Sequence, residues 1–196
     1  MMTKIIGITG SIASGKSTVV GEIRKHGYKV IDADQIVHNL QEKGGKLYQA
    51  LLEWLGADIL SEDGRLNRFR LGQIIFSSPE NLAKSAKLQN QIIRQELMEQ
   101  RDKLMKTEEI FFMDIPLLIE LNYLDWFDQI WLVYVDTEIQ KERLILRNKH
   151  TSDEADRRIS SQMSAKQKKN YADVVIDNSG SLEETIAQVE QALQTL

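Results

Sequence analysis

Cysteine is absent from the 196 residues, which excludes disulfides and thiolate metal sites. The only three histidines, His26, His38 and His150, are scattered without ligand spacing and are expected as surface or filler positions. No apolar run approaches the ~20 residues of a membrane-spanning helix. Met1-Met2-Thr3-Lys4 leads into a short strand rather than the apolar core of a signal peptide, so the expected compartment is the cytoplasm. Neither sign of charge dominates. With 25 Lys and Arg against 29 Asp and Glu the net charge is −4, which argues against a general nucleic-acid binder. Repeats and low-complexity segments are lacking too. What is present, 42% hydrophobic and 28% charged residues, is an ordinary globular composition. Its length suits one large domain with a smaller inserted or appended part.

Against that plain background one segment stands out. Residues 10–17 read Gly-Ser-Ile-Ala-Ser-Gly-Lys-Ser, the full phosphate-binding pattern G-x-x-x-x-G-K-[ST]. It follows the apolar run Ile5-Ile6-Gly7-Ile8-Thr9 and precedes a helix-like stretch, Ser17 to Lys25, which is the strand-loop-helix context the motif requires. Small residues let backbone N–H groups close around a polyphosphate at a helix N-terminus, where the dipole favours anions. Lys16 is placed to reach the β- and γ-phosphates, and the Ser17 hydroxyl to ligate Mg²⁺. The pattern arises by chance in roughly one chain of this length per hundred, and the correct context lowers that further.

Five apolar runs predict strands: Lys4–Thr9, Lys29–Ile31, Ile110–Ile115, Gln129–Val135 and Val174–Ile176. The last three are dense in Ile, Phe, Val and Trp, as buried parallel strands are. Alternation with helical stretches predicts an α/β fold: a five-stranded parallel sheet of the P-loop NTPase type, flanked by helices. The gap between the second and third strands is too long for one crossover. Residues 40–108 therefore read as an all-helical insertion, and residues 140–169 as a helical lid. The core is left with residues 1–39, 109–139 and 170–196. In the insertion, Ser78-Pro79 starts a helix of about seven turns with Leu82, Ala86, Ile93, Leu97 and Leu104 as its apolar stripe. Near the C-terminus, Ser181 and Glu184 form a capping box ahead of Ile186, Val189 and Leu193.

Several acids and bases carry chemical interest. Asp32-Ala33-Asp34 ends the second strand, and residues two apart on an extended chain point to one side. Carboxyl ends of strands face the ligand crevice in such sheets, so both carboxylates are expected toward the phosphate loop. One would accept a proton from an attacking hydroxyl, or the pair would hold Mg²⁺. The plainer reading of Asp34 is an N-cap on a helix Gln35–Leu40. Asp114, after Ile110–Met113, has the Walker-B arrangement that helps hold the metal shell. Glu120 reads equally as a ligand-facing acid or a solvated helix residue. From 141 to 169 there are nine Lys and Arg against four Asp and Glu. Within this stretch Arg143 and Arg147 share one helix face. A charge run is usually a solvated face. Its place after a core strand favours a closing, phosphate-clamping lid, most of all for Arg147. Asn148-Lys149-His150-Thr151 lacks the Asp of a guanine-reading motif, and Asp177-Asn178-Ser179-Gly180 has D-x-x-G spacing in the wrong chain order, so a GTPase switch is disfavoured. Trp54, Trp126 and Trp131 lie in apolar contexts that favour the core over stacking platforms.

Taken together, these segments resemble the dephospho-CoA kinase family. The resemblance rests on Ile8–Thr18, Val30-Ile31-Asp32-Ala33-Asp34, Asp63-Gly64-Arg65-Leu66-Asn67-Arg68, Pro116-Leu117-Leu118-Ile119-Glu120, Gln140–Arg147 and Ala172–Gly180, in family order over nearly the whole chain. It implies ATP-dependent phosphorylation of the ribose 3′-hydroxyl of dephospho-CoA, with ATP and Mg²⁺ as cofactors. No nucleic acid or membrane partner is implied, and a monomer or weak homo-oligomer is expected. It also implies three parts: the nucleotide core, a helical substrate domain and a lid. Lys16, Asp34 and Arg147 would be the catalytic residues, with Asp34 as base. Gly10, Ser11, Ile12, Ala13, Ser14, Gly15, Lys16, Ser17, Thr18, Arg143 and Asn178 would hold the nucleotide. Ser17, Asp32 and Asp114 would hold the metal. The family's usual His-Pro pair in its long helix is replaced here by Asn90-Gln91, which predicts a straighter helix. Two alternatives stay open on the residues alone: a nucleoside or nucleotide kinase of similar build, and a nucleotide-dependent switch without transfer chemistry.

Overall fold

The computed structural model describes residues 3–149 and 151–196; His150 and the first two methionines lie outside them. Five strands, β1 (Lys4–Gly10), β2 (Lys29–Asp32), β3 (Ile110–Asp114), β4 (Gln129–Tyr134) and β5 (Val174–Asp177), form one sheet in the order β2-β3-β1-β4-β5. β1 pairs in parallel with β3 and β4, and β4 with β5. This is the five-stranded parallel sheet expected from the sequence, each strand ending within one residue of its expected limit. The register aligns Ile8 with Asp114 and Gly10 with Val133, so the loop after β1 and the acid ending β3 emerge at the same sheet edge.

β1 and β3 are buried almost throughout because helices cover both faces of the sheet, which explains their unbroken apolar runs. On one face α1 (Lys16–Lys25) and α9 (Leu182–Leu193) pack over Ile6, Ile8, Phe112, Trp131, Val133 and Ile176. Phe112 meets Trp131 edge-to-face at 5.2 Å, and Tyr28 meets Phe112 at 5.4 Å. Trp131 is therefore core. Trp54 and Trp126 are only half-buried, Trp126 packing edge-to-face on Tyr123 and Trp54 under the Lys84 ammonium.

The chain divides into two compact units: residues up to Ile31 with Leu104–Leu196, and Asp32–Lys103. The second is helical, with α2 (Ala33–Gln41), α3 (Lys46–Leu55), α4 (Arg68–Ile75) and nearly all of α5 (Pro79–Leu104). Asn67 caps α4 through the Arg70 amide, and the Ser78 hydroxyl accepts from the Asn81 amide at the head of α5. α5 has the expected seven turns, but its apolar stripe is not its buried face in the first half. Leu82 and Ala86 are exposed; Ser85 is buried instead, accepting a 2.7 Å hydrogen bond from Gln89. That buried polar side chain is satisfied within its own helix, so a serine outside the apolar stripe can lie on the buried face. Leu97 is the buried anchor of the second half.

Candidate active site

The loop after β1 folds as the sequence requires. Gly15 holds φ 82, in the left-handed region, and precedes α1 with no side chain capping the first turn. A side chain there is also barred by space, since an added Cβ would collide with Asn178 Nδ2. At Gly10 an added Cβ would meet Ser14 Oγ at 2.6 Å and the Val133 carbonyl at 3.0 Å. The hydroxyls of Ser11 and Ser14 are buried with no hydrogen-bond partner among the described residues. Orphaned buried hydroxyls are costly, and here they line a loop whose residue pattern is that of an anion cradle. Lys16 leaves the loop and its Nζ lies 2.5 Å from the Asp114 carboxylate, which is itself buried. Ser17 and Thr18, in the first turn of α1, are exposed.

The helices α6 (Thr137–Asn148), α7 (Ser152–Ser160) and α8 (Ala165–Lys168) belong to the same unit as this loop. α6 and α7 form a hairpin held in part by Lys141 and Asp156, 2.7 Å apart. Thr151 and Glu154 make a capping box at the head of α7. From α6, Arg143 donates to the Asn178 carbonyl at 2.9 Å. Asn178 is buried, donating from Nδ2 to the Ser14 carbonyl at 2.7 Å and accepting from the Thr185 hydroxyl at 2.9 Å. A cavity of about 580 Å³ is lined by Ala13, Gly15, Thr18, Arg143, Leu146, Arg147, Asn178, Gly180 and Leu182. It combines the phosphate loop, two guanidiniums and two exposed leucines, a lining suited to an anion carrying an apolar ring. Arg157 and Arg158 line a different depression, with Glu154 and Ser161.

Asp32 and Asp34 belong to the helical unit. Their local structure corrects two expectations. The strand ends at Asp32 and α2 starts at Ala33, so the two acids do not lie two apart on an extended chain and the alternation argument for their common direction fails. The helix cap is Asp32, not Asp34: Asp32 Oδ1 accepts from the Gln35 amide at 3.0 Å, while Asp34 is exposed in the first turn, where a negative charge suits the helix dipole. Glu120 is not a helix residue. It sits in a turn after β3, where it accepts from the buried Lys168 ammonium at 3.0 Å and from the Met163 amide at 3.3 Å. Of the histidines, His38 pairs with Glu42 one helical turn away and His26 lies against Glu22.

Three residues in this region carry contacts that the sequence does not signal. Gln140 donates to the Ile12 carbonyl at 2.7 Å, and Gln162 accepts from the Ile12 amide at 2.9 Å. Lys168 is fully buried and also donates to the Pro116 carbonyl at 3.0 Å. Gln140 and Lys168 stand inside segments that the motifs and the charge run single out. Gln162 follows two serines in a polar stretch whose local pattern carries no signal.

Comparison with known proteins covers the whole of this arrangement. A family model described as dephospho-CoA kinase matches residues 4–184. A dephospho-CoA kinase of Streptococcus agalactiae serotype Ia is 62% identical over 195 residues, with all of both chains covered. Among solved structures, TT1252 from Thermus thermophilus superposes with a TM-score of 0.83 at 31% identity, over 100% of this chain and 98% of that one. Dephospho-CoA kinase from Campylobacter jejuni superposes at 0.74 and 28% identity, over 98% and 96% of the two chains.

Proposed function

We infer the roles of the individual residues from one premise: this chain belongs to the dephospho-CoA kinase family. It is a kinase that phosphorylates the ribose 3′-hydroxyl of dephospho-CoA, giving CoA and ADP with ATP as the donor. The observation that carries the assignment of parts is the cradle itself, with left-handed Gly15, the two unpartnered serine hydroxyls and Lys16 resting on Asp114.

In this reading the loop of residues 10–18 receives the ATP phosphates through the backbone amides left over once those of Ile12, Ser14 and Thr18 are bonded within the protein, and through the N-terminal dipole of α1. Lys16 exchanges Asp114 for the β- and γ-phosphates when ATP arrives, so its charge is balanced in both states. The donor set at this point, the Ser17 hydroxyl and the Asp114 carboxylate, is all oxygen, and so fits a hard divalent cation such as Mg²⁺; Asp32 is proposed to complete it. Bound there, the cation neutralises charge on the transferring phosphoryl group. Arg143 and Arg147 supply further positive charge from α6, and residues 140–169 act as the lid. Residues 40–108 form the substrate domain. Asp34 takes the proton of the 3′-hydroxyl as its oxygen attacks the γ-phosphorus, and the bond to the β-phosphate oxygen breaks to release ADP. Among the described residues no helix is long and apolar enough to cross a membrane. A cytoplasmic enzyme, monomeric or weakly associating, is the accompanying proposal.

Asp34→Asn tests the base. Asp34 is not the cap of α2, so melting should stay within ~2 °C of wild type. Turnover should fall about a hundredfold, with ATP affinity unchanged. An Asn variant that turns over at the wild-type rate removes Asp34 from the chemistry.

A further inference from the structure

The phosphate loop is gripped at one residue from two sides. Ile12, third in the loop, offers one main-chain donor and one main-chain acceptor. Its amide donates to Gln162 Oε1 at 2.9 Å and its carbonyl accepts from Gln140 Nε2 at 2.7 Å. The polarity of each glutamine is dictated, because an N–H can only meet the amide oxygen and a C=O only the amide nitrogen. Gln140 is buried and comes from α6; Gln162 follows α7. The next residue, Ala13, holds φ 57, a left-handed conformation that residues other than glycine rarely adopt and that persists only where the surroundings hold it. The segment carrying Gln162 is anchored as well. One residue on, the Met163 amide donates to Glu120, and the buried Lys168 ammonium contacts Glu120 and the Pro116 carbonyl. Pro116 also accepts from the Thr9 hydroxyl at 2.9 Å, closing the chain of contacts back onto β1.

We propose that Gln140 and Gln162 are positioning residues for ATP binding. Together they hold Ile12 and the strained Ala13 turn in the phosphate-binding shape, and they fasten both arms of the α6–α7 hairpin to the loop. Hairpin attachment and ATP affinity then rise and fall together, since loosening either glutamine frees the turn on which the cradle depends. This rests on the reading of residues 10–18 as the phosphate cradle.

The test uses the full chain, with ATP affinity by calorimetry, Ile12 amide exchange by nitrogen-15 NMR on the ATP-free protein, and melting. Gln162→Met removes the acceptor. ATP should bind about fivefold more weakly or worse, and the Ile12 amide should exchange about tenfold faster. Melting should shift by no more than about 2 °C. Gln162→Glu still offers an acceptor and should keep the Ile12 amide protected. Gln140→Glu turns a carboxylate toward the Ile12 carbonyl and should bind ATP more weakly than Gln140→Met, which merely drops the donor. Methionine variants that bind ATP within about twofold of wild type overturn the proposal. So does a loss of affinity that only tracks melting while Ile12 stays protected, because the glutamines are then structural. Lys16→Ala separates the underlying reading: if that variant binds ATP normally, the cradle assignment fails whatever the glutamines do.

Discussion

Single residues divide sharply into those whose role needs a charge and those whose role needs a shape. Lys16 is the first kind: it opens α1 and its contact is the buried Asp114 carboxylate, so Lys16→Ala should still fold but melt below wild type, because that carboxylate loses its cation. Turnover should fall below about a tenth of wild type, because the β- and γ-phosphates lose their cation. Activity well above that, measured as ADP release, removes Lys16 from phosphate binding. Gly15 is the second kind, excluded from bearing a side chain by both its φ of 82 and the Asn178 side chain against it. Asp32 is both, a proposed metal-shell acid that also caps α2. Asp32→Ala should therefore cost about 1 kcal/mol of stability by the lost cap, visible as a melting shift of several degrees and an added Mg²⁺ requirement. Unchanged melting would deny the cap.

At the scale of elements, the hairpin of α6 and α7 carries the next prediction. Arg147 lines the cavity beside the phosphate loop. Arg147→Lys keeps the charge but loses the planar fork, so turnover should drop about tenfold while ATP affinity changes less. Wild-type values of both would make it an ordinary surface arginine. In the helical unit, Lys46 at the head of α3 reaches Glu96 and Glu99 on α5 at 2.8 and 3.1 Å. The Lys46 ammonium, hydrogen-bonded to Glu96, holds that carboxyl below the ordinary glutamate value of 4.5. Glu99 is lowered first by the Gln95 amide and then by Lys46, and Lys46 is raised in turn, first by Glu96. Depressed carboxyl values mean stability that is present above pH 4.5 and lost as pH falls through the folded-state values. The raised lysine contributes below 10.5 and is lost only as pH rises through its folded-state value. Lys46→Met should thus melt slightly below wild type at neutral pH, with the gap closing on acidification. A constant gap would show that the ion pairs do nothing; screening makes the effect small in any case.

At the scale of the molecule, much is legible in the sequence because the core obeys short-range rules. Buried parallel strands announce themselves as apolar runs, and the phosphate loop is one contiguous pattern with fixed spacing. Alternation carried past Asp32 fails, because the strand ends at Asp32, which caps α2, and Ala33 and Asp34 are already helical. The buried face of α5 departs from its apolar stripe for a related reason: Ser85 satisfies its hydroxyl within the helix and so escapes the hydrophobic periodicity. The grip of Gln140 and Gln162 on Ile12 is invisible in the sequence because it joins residues 128 and 150 positions apart through amide side chains with no compositional mark. The pairing of Glu120 with Lys168 is likewise a long-range contact that neither segment signals alone.

The central claim, that this protein moves a phosphoryl group from ATP to the 3′-hydroxyl of dephospho-CoA, is tested most directly by ADP release in the presence of single acceptors. With Mg²⁺ and ATP fixed, dephospho-CoA should stimulate ADP formation at least about a hundredfold over the acceptor-free rate. Nucleosides, nucleoside monophosphates and dephospho-CoA lacking the 3′-hydroxyl should stay near that background. Equal stimulation by a nucleoside or nucleoside monophosphate, or ADP formation indifferent to every acceptor, would contradict the account.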